Sequence, residues 1–314
     1  MSQPRRTSRS RAWTVLALPV LLCVLAACSG GPASGRGADA AAPGASRTPS
    51  GPPGTLFDNF HYSGPDDPSL TANGWEVRNG AGSPGIKDTW SSAGAGFPSD
   101  ATAQGGRVLQ LRASTDGTKQ GTRQVEVQST GTALFTGTYA ARVHLSERPT
   151  SGRDGDHVVQ TFFPISSAES SADYSELDHE YLPNGGWGSV GSQLDNVSWY
   201  KADPPDRVSH TSKRHLEGWH IMMITAVNGK VTYSLDGKDL FTSSGKYVPR
   251  EKMDIHFSNW FIDLPFTGGP RTWDMKVNWF YYKAGEAVSQ AEVQKTVDGF
   301  YSAGTGFINT VPKS

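Results

Sequence analysis

The chain has 314 residues, a length that one large β domain or two smaller domains could fill. It contains 36 glycines, 20 prolines and only 19% charged residues, which favours many short strands joined by turns over long helices. Without the N-terminal arginines Arg5, Arg6, Arg9 and Arg11, 25 basic residues remain against 30 acidic ones, a net charge near −5. No basic stripe remains for a nucleic-acid backbone, so a neutral partner fits better than a polyanion.

Residues 1–28 have the pattern of an export signal. A basic segment precedes an apolar run from Val15 to Ala27, which is too short for a comfortable membrane span. The run ends in Leu25-Ala26-Ala27-Cys28, which resembles a bacterial lipoprotein box. In such signals the cysteine is acylated, so we predict a lipid anchor at Cys28 on the extracellular face of a bacterial membrane. An ordinary secretory signal, cleaved nearby, is the alternative, and the general secretory and twin-arginine routes both stay open.

Residues 29–54 consist almost entirely of Gly, Ala, Pro, Ser and Thr. Such a segment buries too little apolar surface to fold, so we predict a disordered tether between the anchor and a folded domain. Both cysteines, Cys23 and Cys28, precede the tether. The folded domain therefore has no disulfide, thiol nucleophile or thiolate metal site.

Residues 55–285 read as a series of short strands. Strand-like runs at 107–113, 123–130, 139–145 and 157–165 come first, and the last is apolar enough to be a central strand. After a run at 196–201, Asn-Gly and Asp-Gly turns join segments 218–227, 230–235 and 238–242 into an antiparallel meander. Runs at 253–262 and 273–283 follow. With no βαβ alternation, the pattern predicts an all-β protein of two antiparallel sheets packed face to face.

The remaining residues, 286–314, form a tail with one short helix. Ser289-Gln290-Ala291-Glu292 fits a capping box, which predicts a helix that ends at about Gly299.

Three carboxylates stand at alternate positions of one predicted strand. Glu176, Asp178 and Glu180 would all project from the same face, where like charges repel each other unless the protein uses them. Paired carboxyl groups with separated pKa values are what hydrolysis of a glycosidic bond requires. The pattern therefore favours a sugar-binding cleft at this strand.

These residues resemble glycoside hydrolase family 16, the β-jelly-roll family of lichenases, laminarinases and xyloglucan-active enzymes. Residues 176–180, Glu-Leu-Asp-His-Glu, match its Glu-x-Asp-x-Glu signature in the form without an extra bulged residue. Further segments resemble the family's opening, its central strands, its Trp-His and Asp-Gly hairpin and its closing strand: residues 56–60 with Trp75, 137–145, 218–220 with 233–238, and 277–282. The resemblance implies a jelly-roll sandwich with a concave substrate cleft.

The resemblance also implies a role for each carboxylate: Glu176 is the nucleophile, Asp178 the assisting group and Glu180 the general acid/base. It implies an endo-acting, retaining hydrolase of a β-linked polysaccharide, with β-glucan as the first candidate substrate. Retention needs carboxyl groups about 5–5.5 Å apart, so the strand must bend to bring them together. A transglycosylase, a carbohydrate-binding lipoprotein without turnover and a structural cell-envelope protein remain alternatives.

Several further residues are candidates for the surroundings of the site. Trp187, Trp199 and Trp260 could stack on sugar rings, although most tryptophans form core. Asn184 and Asn196 could bind sugar hydroxyls, with a turn as the more usual role of Asn. His179 should face the layer between the sheets, where it needs a hydrogen-bond partner.

No resident cofactor is expected. Members of the family often hold a structural Ca²⁺ on the convex side, and Asp58 or Asp274 could contribute to such a site. His210, His215 and His220 share no face of a helix or strand, so a metal site there is not expected. The expected partners are a polysaccharide and, through Cys28, a membrane; we expect no nucleic acid and a monomer.

Overall fold

The structure, a computed structural model, describes residues 51–131 and 134–312. The export signal, Cys28 and nearly all of the predicted tether lie outside the described residues. None of the described helices is long and apolar enough to cross a membrane.

The described residues form short strands with two α-helices and three 3₁₀ turns. The strands are β1 (Thr55–Asp58), β2 (Trp75–Val77), β3 (Ala95–Gly96), β4 (Leu109–Thr115), β5 (Val125–Ser129), β6 (Gly137–Leu145), β7 (Val158–Ser166), β8 (Glu176–Leu182), β9 (Gly185–Gly186), β10 (Ser189–Val190), β11 (Gln193–Lys201), β12 (Asp206–Lys213), β13 (Gly218–Val227), β14 (Lys230–Leu235), β15 (Lys238–Ser244), β16 (Met253–Phe261), β17 (Arg271–Ala284) and β18 (Phe307–Asn309). The helices are α1 (Pro68–Ala72) and α2 (Gln290–Ser302), and the 3₁₀ turns are Ser92–Gly94, Gln104–Gly106 and Gly245–Tyr247.

Two large antiparallel sheets make up the sandwich, and β9 and β10 form a separate two-stranded hairpin. The nine-stranded sheet has the order β15-β14-β13-β6-β17-β1-β18, with β4 beside β17 and β3 beside β4. The seven-stranded sheet has the order β12-β11-β8-β7-β16-β5-β2. This arrangement confirms the predicted all-β jelly-roll sandwich. The meander of β13, β14 and β15 lies where the two Asn-Gly and Asp-Gly turns predicted it, and β7 is a central strand.

Aromatic side chains from both sheets meet in the layer between them. Phe162 of β7 stacks on Phe257 of β16 with ring centres 5.2 Å apart, and Phe257 meets Phe280 of the opposite sheet edge-on. All three are fully buried. Burying a Phe side chain stabilises the fold by roughly 1.5–3 kcal/mol, so these contacts hold β7 and β16 against the other sheet.

Helix α2 begins directly after the capping box that predicted it. The Ser289 hydroxyl accepts from the backbone N–H of Glu292, and the Glu292 carboxylate accepts from the backbone N–H of Ser289. The helix packs Val293, Val297 and Phe300 against the nine-stranded sheet, and β18 then pairs with β1. The residues after 285 therefore complete this sheet.

Strand β12 was not predicted. Its sequence, Asp-Arg-Val-Ser-His-Thr-Ser-Lys, carries no apolar alternation, because β12 is the outermost strand of its sheet and most of its side chains are exposed. Its pairing with β11 is a long-range contact that local pattern does not reveal.

Candidate active site

Strand β8 separates core residues from carboxylates by simple alternation. Leu177, His179 and Tyr181 are fully buried in the layer between the sheets. Glu176, Asp178 and Glu180 project from the opposite side, because successive side chains of a strand point to opposite faces. Glu176 and Glu180 keep partial exposure, whereas Asp178 is only 3% exposed. We call this outward side of the seven-stranded sheet the carboxylate face.

The two neighbouring strands fix what surrounds each carboxylate. Side chains of directly opposed residues in an antiparallel pair lie on the same face with Cβ atoms about 4.5–5.5 Å apart. Opposite Glu176, Asp178 and Glu180, β11 places Trp199, Val197 and Asp195, respectively. On the other side, β7 places Ile165 opposite Glu176 and Thr161 opposite Glu180.

Asp178 holds a proton next to Glu176. Burial, followed by the charges of Glu176 and Glu180, raises the pKa of Asp178 well above its usual range. The indole Nε1–H of Trp199 donates to Asp178 Oδ2 over 2.9 Å and fixes its orientation. Asp178 and Glu176 also share a side-chain hydrogen bond, which lowers the pKa of Glu176 and raises that of Asp178. Within this pair, Asp178 therefore holds a proton more firmly than Glu176 does.

Tyr174 supports Glu176 from the other side and was not selected from the sequence. Its hydroxyl donates to Glu176 Oε2. Burial and the Glu176 charge raise the pKa of the Tyr174 phenol, so it remains a donor at all physiological pH values. Burial raises the pKa of Glu176, and the Tyr174 hydrogen bond acts against that rise. The sequence feature that could have identified Tyr174 is its spacing, because a residue two positions before Glu176 in extended backbone lies on the same face.

Glu180 is protonated near neutral pH. Burial, followed by the negative charges of Glu176 and Asp195, raises its pKa to about 8, while the Arg207 guanidinium acts in the opposite direction. A carboxylic acid that keeps its proton at pH 7 can donate that proton to a leaving oxygen. Of the three carboxyl groups of β8, Asp178 and Glu180 are therefore the two that hold protons most firmly.

Trp199, which the sequence suggested as a candidate sugar contact, lies beside the carboxylates. The guanidinium of Arg207, on the edge strand β12, sits 4.5 Å from the centre of its ring. One face of this half-buried indole is thus covered by Arg207, while its N–H is engaged by Asp178. Trp199 therefore orients the Asp178 carboxyl group.

Trp187 and Trp260 meet at one end of the carboxylate face. Trp187 is 57% exposed and has a left-handed backbone (φ +49°), which costs a non-glycine residue about 1–2 kcal/mol and marks a constrained turn. Its ring centre lies 6.0 Å from that of Trp260, which is only 6% exposed and packs with Leu182 and Val159. Trp260 therefore packs against Trp187 as a support. Its own ring is too buried for the sugar stacking that was predicted for it.

The two asparagines have structural roles. Asn196 is fully buried because it faces inward from β11, and its amide N–H donates to His179 Nδ1 over 2.8 Å. The prediction that Asn196 binds sugar is therefore wrong. Asn184 donates to the carboxylate of Asp154 (2.8 Å) and to the carbonyl of Asp156 (3.1 Å), so its amide fastens a turn.

His179 has the hydrogen-bond partners that its buried position requires. Besides accepting from Asn196, it donates from Nε2 to the carbonyl of Met223 on the other sheet over 3.0 Å. Burial lowers its pKa to about 4, so the imidazole is neutral at physiological pH.

The proposed calcium ligands do not suit a cation. Asp58 accepts from the backbone N–H of Phe60, the Tyr62 hydroxyl and the Trp75 indole. Asp274 accepts three hydrogen bonds at 2.8 Å from two side chains, Arg112 and Gln110. Both carboxylates are filled by protein donors, and the described ranges contain no group of three His, Cys, Asp or Glu residues that could hold a metal. Asp58 and Asp274 therefore do not fit the role of calcium ligands that the sequence suggested.

Comparisons with known proteins yield structural similarity alone. No protein-family model matches the chain, and no curated protein matches it. Among solved structures, a Bacillus licheniformis β-glucanase is 12% identical with a TM-score of 0.53, and the match covers 73% of this chain and 98% of that one. A family 16 protein from Bacteroides ovatus, in complex with the product G4G4G3G, is 14% identical with a TM-score of 0.54 and coverages of 71% and 98%.

A third structure introduces a different functional description. A Mycobacterium tuberculosis protein described as an immunostimulatory antigen and pseudo β-1,3-glucanase is 18% identical with a TM-score of 0.53. The match covers 74% of this chain and all of that one. Sheet order, strand content and these matches together give the conclusion that the chain has the β-jelly-roll fold of the glycoside hydrolase family 16 glucanases.

Proposed function

We propose that this protein is a surface-anchored, endo-acting glycoside hydrolase that cleaves a β-linked polysaccharide with retention of configuration. The observation that carries the proposal is the placement of Glu176, Asp178 and Glu180 on one outward face, with Tyr174 hydrogen-bonded to Glu176 and Trp199 to Asp178. Asp178 hydrogen-bonds Glu176 and holds a proton more firmly than Glu176 does, and burial raises the pKa of Glu180 to about 8. These are the states that a nucleophile, its helper and a general acid need.

The first chemical step breaks the glycosidic bond. A Glu176 oxygen attacks the anomeric carbon while Glu180 transfers its proton to the departing oxygen, which leaves a glycosyl ester on Glu176 and a carboxylate on Glu180. Esterification removes the negative charge of Glu176, which is one of the charges that raise the pKa of Glu180. The loss of that charge makes the Glu180 carboxylate a stable base for the second step.

The second step returns the enzyme to its starting state. Glu180 takes a proton from water as the water oxygen attacks the anomeric carbon, and Glu176 leaves as a carboxylate. Asp178 can donate its hydrogen bond to Glu176 as the negative charge returns, so the helper acts mainly at the beginning and end of the cycle. A sugar hydroxyl in place of water would give transglycosylation with the same residues.

The surroundings favour a neutral polysaccharide. The open Trp187 ring continues the carboxylate face beyond Glu180, and flat rings pack on the apolar faces of sugars. Two of the similar structures are described as a β-glucanase and as a family 16 protein with a bound product, which makes a β-glucan the first candidate. We propose that the protein acts as a monomer.

The competing proposal is a carbohydrate-binding surface lipoprotein without turnover. One similar structure is described as a pseudo β-1,3-glucanase, and that description favours this alternative. The experiment is reducing-end release from a polysaccharide panel by the wild type, Glu176→Gln and the control Glu286→Gln, an exposed carboxylate remote from the site. We expect wild-type and control activity and a roughly thousandfold loss in Glu176→Gln, because the nucleophile is gone.

The other outcomes separate the alternatives. Glycan binding by the wild type without product release would replace the hydrolase with the binding protein. Absence of both binding and release across the panel would favour a structural cell-envelope protein. Product analysis with added oligosaccharide acceptors distinguishes hydrolysis from transfer.

The anchor is tested independently of the chemistry. We expect Cys28→Ser to move the full-length protein from the detergent phase to the aqueous phase in phase partitioning, because one acyl chain and its diacylglycerol supply the membrane affinity. Equal partitioning of both forms would favour an ordinary secretory signal.

A further inference from the structure

A fourth carboxylate, Asp195, faces the site from the neighbouring strand. It lies directly opposite Glu180 in the register of β11 and β8, so both side chains occupy the carboxylate face about 4.5–5.5 Å apart at Cβ. Asp195 is 8% exposed. Two carboxyl groups so placed repel each other when both are ionised. The pair therefore either has a function or lowers the stability of the sheet.

Among the described residues, the Asp195 carboxylate has one hydrogen-bond donor and no ion-pair partner. Gln193 Nε2 donates to its Oδ2 over 2.8 Å. Its Oδ1 is buried and has no hydrogen-bond partner within the described ranges. The Lys213 ammonium reaches the neighbouring Gln193 but does not pair with Asp195. It donates to Gln193 Oε1 (2.6 Å) and Ser189 Oγ (2.7 Å). A buried acceptor without a donor is unfavourable, and that penalty is removed if a protonated group approaches and donates to it.

We propose that Asp195 is a positioning residue that acts through Glu180: its uncompensated charge holds the proton on Glu180, and its free Oδ1 accepts the hydrogen bond that orients the Glu180 carboxyl. The inference rests on the proposed function, because it assigns Glu180 the part of general acid. It adds a residue on a different strand to the three carboxylates of β8.

The charges that face Glu180 divide into constant and changing ones. On its own strand, Glu176 loses its charge in the covalent intermediate, and Asp178 is protonated. From β12, the Arg207 guanidinium lowers the pKa of Glu180, whereas β7 presents the neutral Thr161. Asp195, on β11, raises the pKa of Glu180 through its charge and is not one of the groups that react in either step. It therefore sets how far the basicity of Glu180 falls when the intermediate forms.

The decisive measurement is the titration of Glu180 itself. Protein labelled with ¹³C at the glutamate carboxyl carbons is titrated by NMR, with the Glu180 signal assigned through its loss in Glu180→Gln. We expect Asp195→Asn to lower the titration midpoint by about 1–2 pH units, since one unit charge at this range and an effective dielectric constant near 20 is worth a few kcal/mol. Asp195→Glu should retain the high midpoint, and Asp254→Asn, an acidic residue of the same sheet on β16, serves as the matched control.

An unchanged midpoint in Asp195→Asn would overturn the proposal, as would an equal shift in Asp254→Asn. If Asp195→Asn fails to fold, Asp195→Ser with the same titration replaces it. This measurement needs no turnover, so it remains decisive for the Asp195–Glu180 coupling even if the protein proves to be a binding protein.

A kinetic measurement then connects the coupling to the reaction. In a profile of kcat/KM against pH, Asp195→Asn should move the alkaline limb downward with the NMR midpoint and leave the acid limb in place. A shifted NMR midpoint with an unmoved alkaline limb would refute the role in acid catalysis. Absence of wild-type turnover would count against the proposed function and would leave the titration result standing.

Discussion

His179 should make the stability of the fold depend on acid in a way that can be isolated. Its neutral ring donates to the Met223 carbonyl and accepts from Asn196, so a second ring proton would point at the Asn196 N–H. Burial lowers the pKa of His179 to about 4, against about 6.5 for a histidine in an unfolded chain. The depressed pKa gives stability that is present above pH 6.5 and is lost as the pH falls towards 4.

The size of the loss follows from the two pKa values. A difference of about 2.5 pH units corresponds to about 3 kcal/mol, of which about 2 kcal/mol is lost by pH 5. The comparison variant replaces His179 with Met and Asn196 with Leu, because removal of both partners leaves no orphaned polar side chain between them. The raised pKa values of the site carboxylates influence both proteins equally.

Urea unfolding followed by circular dichroism, at several pH values between 7.5 and 4.5, gives the required free energies. The wild type should lose about 2 kcal/mol more than the double variant between pH 7.5 and pH 5. His210→Met, which removes an exposed histidine of β12, should behave like the wild type. Parallel curves for the wild type and the double variant would refute a buried neutral imidazole at position 179.

Three smaller predictions concern the site and its scaffold. Tyr174→Phe removes the hydroxyl that lowers the pKa of Glu176, so the acid limb of the kcat/KM profile should rise by about 1–2 pH units; an unmoved limb would contradict the assigned contact. Trp187→Ala should weaken polysaccharide binding about tenfold in calorimetry while kcat changes little, and unchanged affinity would remove Trp187 from the binding surface. Ser289→Ala should lower the free energy of unfolding by about 1 kcal/mol through loss of the α2 cap, and no change would show that the cap is dispensable.

Local sequence pattern was sufficient for the elements whose cause is local. The Asn-Gly and Asp-Gly turns placed the meander, and the capping box placed the start of α2. Alternation in β8 correctly predicted that the three carboxylates share a face opposite His179, and that this histidine would need a partner between the sheets.

What local pattern missed depends on strand register. Asn196 and Asp195 are adjacent in sequence, and both are polar residues that could have been assigned to sugar binding. Register alone decides that Asp195 faces Glu180 and that Asn196 faces His179. A shift of one residue in β11 would exchange these roles, so the distinction cannot be made without the pairing partner.

The contact of Arg207 with Trp199 links an edge strand of the sheet to Asp178 on the carboxylate face. Strand β12 is outermost, and backbone hydrogen bonds at a solvent-exposed edge open at low free-energy cost. When β12 opens, Arg207 leaves the Trp199 ring, and the indole that orients Asp178 loses its support. The fraction of molecules in which Trp199 aligns the Asp178 carboxyl is thus set in part by fraying of β12. A ligand that held Trp199 in place would also slow the opening of β12.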